Sequence, residues 1–273
     1  MQTAEGYLDS GLFWRSWAGD TLPRGVVLIA HGLAEHCGRY EHVAAALTQQ
    51  SFKVFAVDHL GHGKSPGERV FVESFADYTD GIDSLFELIG SQHPDVPVTI
   101  LGHSMGGLIA AASVVAHPHR YHGAILSGPA IIAPEPPPAW QQWLVRRLSS
   151  WSPKAGVVAL ESEAISRDPE VVAAYMADPL VYNGKITARL AAELFDAMAA
   201  LLSNANRIAL PLLVMHGTAD RLTAPEGSQA LVEAAVCEDK TLKMWDGLYH
   251  EIFNEPEQQH VFDVMLDWLA ARN

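Results

Sequence analysis

Six short segments of this chain read as strands, and most of them are apolar without interruption. They are VVLIAH (26–31), FKVFAV (52–57), VTILGH (98–103), GAILSG (123–128), LLVMHG (212–217) and TLKMW (241–245). A strand with one wet face would alternate apolar and polar residues. An unbroken run is the mark of a parallel strand buried on both faces. Helical patterns follow or separate the runs at 40–50, 74–92, 105–117, 226–236 and 258–271. In the last of these, Val261, Phe262, Val264, Met265, Trp268 and Leu269 form one apolar stripe. The alternation predicts an α/β fold, with a mostly parallel central sheet covered by helices on both faces. The opening stretch EGYLDSGLFWRSW reads as an antiparallel hairpin added to one edge.

The alternation lapses between residues 129 and 210. PAIIAPEPPPAW is too rich in proline for a helix or a central strand. Three helical pieces follow it. QQWLVRRLSSW, with the tryptophan before it, puts Trp140, Trp143, Leu144, Leu148 and Trp151 on one face. SRDPEVVAAYMADP offers Asp168 as N-cap and Pro169 at the first helical position. ITARLAAELFDAMAALL aligns Ile186, Leu190, Leu194, Met198 and Leu202. We therefore expect a core of residues 1–128 and 211–273, with residues 129–210 inserted after the sixth strand as a helical cap.

The composition narrows the partners. The net charge of −14 disfavours nucleic acid and electrostatic attraction to anionic lipid. No apolar run is long enough to span a bilayer, and the start does not read as a signal peptide. Cys37 and Cys237 are far apart and read as two reduced thiols, which points to the cytoplasm.

The motif with chemical content is LGHSMGG (101–107), which holds G-x-S-x-G at Gly102, Ser104 and Gly106. Between a strand and a helix, this pattern forces a sharp turn that exposes the serine at the carboxyl end of the sheet. A serine nucleophile needs a base, and the base needs an orienting acid, in the chain order Ser, acid, His. His250, in DGLYHEIF, follows the strand 241–245 by a short loop. His260 falls on the polar side of a helix, and His216 precedes the acid, so His250 is the expected base. Asp220, in HGTADRL, is the expected acid; Asp246, Asp239 and Glu251 are its rivals. Glu251 adjoins His250 and would struggle to reach its ring. The oxyanion should be met by the N–H groups of Met105, after the nucleophile, and of Leu33, after His31-Gly32. DHLGHGKS (58–65) could place Asp58, His59 and His62 on a metal, but it lacks further ligands at useful spacing and reads as a tight turn. No metal or cofactor is required.

The segments HGLAEHCGRY (31–40), VDHLGHGKSPGER (57–69), LGHSMGG, HGTADRL (216–222) and GLYHEIF (247–253) together resemble the monoacylglycerol lipases, a lysophospholipase-like branch of the α/β-hydrolase superfamily. SRDPEVVAAYMADPLV (166–181) is similar to cap sequence of bacterial members. The resemblance implies Ser104, Asp220 and His250 as triad, and Leu33 and Met105 as oxyanion donors. It implies a monoacylglycerol substrate and a cap that touches membranes or micelles, so that the protein would be cytoplasmic and peripherally membrane-associated. Glu35 and Arg39, four apart beyond the oxyanion loop, are either organisers of the glycerol hydroxyls or an i,i+4 ion pair. Cys37 beside them reads as a small packed residue. A short-chain carboxylesterase or lysophospholipase on the same triad is the rival activity. A catalytically dead lipid-binding protein is the remote alternative.

Overall fold

The computed structural model describes residues 1–272. In chain order the elements are β1 (Gln2–Tyr7), β2 (Phe13–Ala18), β3 (Gly25–Ala30), α1 (Glu41–Gln49), β4 (Phe52–Val57), α2 (Ala76–Gln92), β5 (Val98–His103), α3 (Met105–Ala116) and β6 (Gly123–Ser127). Then come α4 (Ala139–Trp151), β7 (Gly156–Ala159), α5 (Pro169–Ala177), β8 (Lys185–Thr187) and α6 (Ala188–Asn204). The chain closes with β9 (Leu212–Gly217), α7 (Pro225–Ala234), β10 (Lys240–Trp245) and α8 (Gln258–Ala270).

Eight strands form one sheet in the order β1-β2-β4-β3-β5-β6-β9-β10. The pairs β1–β2 and β2–β4 are antiparallel, and every pairing from β4 to β10 is parallel. This is the mostly parallel sheet expected from the apolar runs and the α/β-hydrolase architecture that the resemblance implies, with the N-terminal hairpin on the β4 edge. The unbroken runs have their predicted cause: β3, β5, β6 and β9 are buried at every position. One core face packs Leu28, Ile100, Leu126 and Val214 against α2, α3 and α6, and the other packs Ile29, Leu101, Ile125 and Met215 against α1 and α8.

Residues 128–211 join β6 to the adjacent β9 and carry α4, β7, α5, β8 and α6. Two features here differ from the sequence reading. The segment is not wholly helical, because β7 and β8 pair as an antiparallel ribbon with a bulge between Gly156 and Val158. Ile186 belongs to β8 rather than to the following helix, since Thr187 caps α6 by accepting the Leu190 N–H. The α5 expectation holds: the Asp168 side chain accepts the Glu170 N–H and Pro169 opens the helix.

Candidate active site

β5 ends at His103 and α3 begins at Met105, so one residue must make the whole turn. Ser104 does so with φ 54° and ψ −120°, a left-handed conformation that a side chain adopts only at a cost of about 1–3 kcal/mol. The turn is fixed on both sides, as the Ser104 N–H donates to the Ser127 carbonyl and the Ala130 N–H donates to that of Ser104. The two motif glycines are required by contact. A Cβ on Gly102 would lie 2.2 Å from the Gly106 carbonyl oxygen, and one on Gly106 would lie 2.1 Å from that of Ala30. Strand, elbow, helix and β3 can thus meet only if both side chains are absent.

His250 follows β10 through a loop that returns to the same end of the sheet. Its Nδ1 lies 2.7 Å from Asp220 Oδ2, and both residues are buried. Burial opposes a charged imidazole, but the Asp220 carboxylate and its hydrogen bond outweigh it, so the His250 pKa is raised. Asp220 is held by further donors: the Leu222 and Thr223 N–H groups on Oδ1, and the Thr223 hydroxyl on Oδ2. Burial opposes its charge, yet the His250 and His216 interactions hold its carboxyl far below the usual range. The rival acids lie elsewhere, Asp246 accepting from Thr218 and Asp239 pairing with Arg272.

Ser104 and His250 line one cavity of about 750 Å³, counting its open mouth. The Ser104 hydroxyl makes no hydrogen bond among the described residues. Leu33 and Met105 line the same cavity, and neither of their N–H groups has an acceptor among the described residues. The Leu33 loop is pinned by its neighbours. His31 Nε2 accepts the His59 N–H, so its Nδ1 carries the proton and donates to the Gly32 carbonyl at 2.7 Å. The Gly32 N–H in turn donates to Glu35 Oε1 at 2.6 Å.

Glu35 and Arg39 form the i,i+4 pair, but with a third member that the sequence reading set aside. Arg39 donates to Glu35 at 2.6 Å and, through both terminal nitrogens, to the two oxygens of Glu251 at 2.7 Å each. Its guanidinium also lies over the Tyr175 ring of α5. Burial would raise the Glu35 carboxyl, but the charge of Arg39 and the nearby imidazoles bring it to about 2. The Glu251 carboxylate is taken up by Arg39 and by the Asn254 amide. Cys37 is a buried free thiol, pushed up in pKa by burial and by Asp58. Asp58 accepts the Cys37 and Lys64 N–H groups, so the 58–65 segment is a hydrogen-bonded turn.

The cavity walls come largely from the inserted segment. Ile132, Leu160, Ile165, Leu194 and Met198, with Leu222, make them mostly apolar, with Glu161 and Ser162 the polar residues that the inserted segment's loop before α5 adds. On the outside, α4 leaves Trp140, Trp143, Leu144 and Trp151 between 53% and 82% exposed. Among the described residues no helix is long and apolar enough to cross a membrane.

The Hydrolase_4 family model, described as serine aminopeptidase, S33, matches residues 21–257. A monoacylglycerol lipase of Mycolicibacterium smegmatis is 42% identical over 93% of this chain and 91% of its own length. The monoglyceride lipase of Homo sapiens is 33% identical over 96% of this chain and 87% of its own. The crystal structure of a Paleococcus ferrophilus monoacylglycerol lipase superposes with a TM-score of 0.87, at 34% identity, over 96% of this chain and 99% of that one. The chain therefore belongs to the Hydrolase_4 (serine aminopeptidase, S33) family of α/β-hydrolases, with monoacylglycerol lipases among its relatives.

Proposed function

We propose that this protein hydrolyses monoacylglycerols to a fatty acid and glycerol, with Ser104, His250 and Asp220 as its triad. One observation carries the reading. A strained serine with no hydrogen bond to its hydroxyl among the described residues and an Asp220-bound imidazole share the floor of a cavity whose walls are mostly apolar. His250 Nε2 takes the Ser104 proton as Oγ attacks the ester carbonyl. The oxyanion that forms is met by the free N–H groups of Leu33 and Met105, each worth about 3 kcal/mol. As the ester bond breaks, His250 returns its proton to the glycerol oxygen. Water then repeats the sequence on the acyl-serine and releases the acid. No metal or cofactor takes part.

The family description names a peptidase, but the lining favours a lipid. Ile132, Leu160, Ile165, Leu194 and Met198 give the cavity an aliphatic wall suited to an acyl chain, and the two acids beside the oxyanion loop, Glu35 and Glu251, are both committed to Arg39. With the Glu35 carboxylate so engaged, we assign Glu35 and Arg39 to holding the oxyanion loop; Glu35 lines the cavity and is the member that glycerol hydroxyls would meet, and Arg39 acts through it. Residues 1–128 and 211–273 act as the catalytic core and 129–210 as its cap. The exposed tryptophans of α4 dock on the lipid surface that holds the substrate, so the protein works at a membrane from the cytoplasmic side. Trp143 stacks near Arg147, and α4 itself bears two arginines and no acid, a local relief from the acidic whole.

Hydrolysis rates across monoacylglycerols of rising chain length test the proposal, with diacylglycerol, triacylglycerol, lysophospholipid and a short-chain ester alongside. Monoacylglycerols should be the preferred substrates. A preference for the water-soluble short ester, or for lysophospholipid, would replace the proposal by the corresponding esterase or phospholipase.

A further inference from the structure

His216 is wholly buried at the end of β9 and does not line the catalytic cavity. It stands four residues before Asp220, and its ring reaches the same carboxylate oxygen that His250 uses. His216 Nε2 lies 3.0 Å from Asp220 Oδ2 and 3.2 Å from the Thr223 carbonyl oxygen. Both are acceptors, so Nε2 must carry the proton. Nδ1 then accepts from the Ser228 hydroxyl of α7 at 2.7 Å. Two imidazoles therefore converge on one carboxylate oxygen, and of the two His250 lines the cavity.

The remaining donor to that oxygen has a competing acceptor. The Thr223 hydroxyl lies 2.9 Å from Asp220 Oδ2 and 3.0 Å from the Gly128 carbonyl oxygen, and it has a single proton. Whenever Thr223 serves Gly128, the donors left to Oδ2 among the described residues are His216 and His250. The two N–H groups on Oδ1 fix one end of the carboxylate but leave its rotation about that end to whatever binds the other. A residue needed merely to fill this volume at the end of a buried strand would be apolar. A buried imidazole with both nitrogens satisfied has a directional task.

We propose that His216 is a positioning residue for catalysis, which aims the Asp220 carboxylate at His250 through Nε2–H and is itself held in one tautomer by Ser228. The proposal rests on the triad reading above. It makes the orienting unit a chain of four: Ser228, His216, Asp220, His250. This chain ties α7 to the base.

The test compares His216→Phe, which keeps a ring of similar shape but has no donor, with His216→Gln, whose amide can donate to Asp220 and accept from Ser228. His216→Phe should lower kcat about 10–100-fold with KM within about threefold, because aim and not substrate contact is lost. It should also shift or broaden the low-field proton resonance of the His250–Asp220 hydrogen bond, which is readable without substrate. His216→Gln should return both close to wild type. Ser228→Ala, which frees the His216 tautomer, should show the same changes in smaller degree and decides the matter if His216→Phe does not fold. Wild-type kcat and an unmoved resonance in a folded His216→Phe, or in Ser228→Ala, would overturn the proposal. So would a loss that His216→Gln fails to rescue. A wild-type protein with no esterase activity, but with the resonance moving as described, would instead sink the activity and keep the geometry.

Discussion

Arg39 and Glu251 are joined by two parallel hydrogen bonds of 2.7 Å across 212 residues of sequence. The pair clamps the loop bearing the Leu33 N–H to the loop bearing His250. Removing one member leaves a buried charge with part of its partner gone. Glu251→Ala should therefore lose about 3 kcal/mol of stability in urea unfolding and also lower kcat. An unchanged unfolding midpoint would mean that Glu35 alone suffices for Arg39.

Ser104→Ala should abolish turnover with little change in melting temperature, since only the nucleophilic oxygen goes. Ser104→Gly is a sharper test of the elbow. It relieves the left-handed strain while adding flexibility to the unfolded chain, and should be inactive yet more stable by about 1 kcal/mol. A glycine variant less stable than wild type would argue against strain at this turn.

Only neutral His250 can accept the serine proton. Because its pKa is raised by Asp220, the protonated form persists above the ordinary histidine value of about 6.5. The acid limb of kcat/KM should therefore lie above about pH 6.5, with activity rising as pH increases through it. Asp220→Asn should cost about 10⁴-fold in kcat and move what remains of that limb downward. A loss below tenfold, or a limb that stays in place, would point to another acid.

Trp143→Ser combined with Leu144→Ser should weaken binding to liposomes and slow hydrolysis of long-chain monoacylglycerol. Hydrolysis of a soluble short-chain ester should change little, because these side chains are exposed rather than packed. Equal loss on both substrates with a fall in melting temperature would show them to be part of the folded interior's support.

The sheet was legible because β3, β5, β6 and β9 are covered on both faces, a burden that only continuous apolar sequence can meet. The approach of His250 to Asp220 was legible from chain order and from loops leaving the same end of neighbouring strands. The β7–β8 ribbon was not, because strands of four and three residues with a bulge between them display no period. Glu251 and His216 were each considered for a triad role and set aside on spacing or order. Their actual contacts depend on side chains reaching residues far away in sequence, or across a turn, which no local pattern records.

The pairing of β6 with β9 has a consequence for synthesis. Residues 128–211 must leave the ribosome before β9 can take its place beside β6, and the imidazole at 250 comes later still. A nascent chain therefore carries its serine elbow through the whole inserted segment before the proposed base is made. On the proposed triad, Ser104 is not activated for attack on lipid while the chain up to residue 250 is still being translated. On the same reading, any product that terminates before residue 250 lacks the base that would activate Ser104.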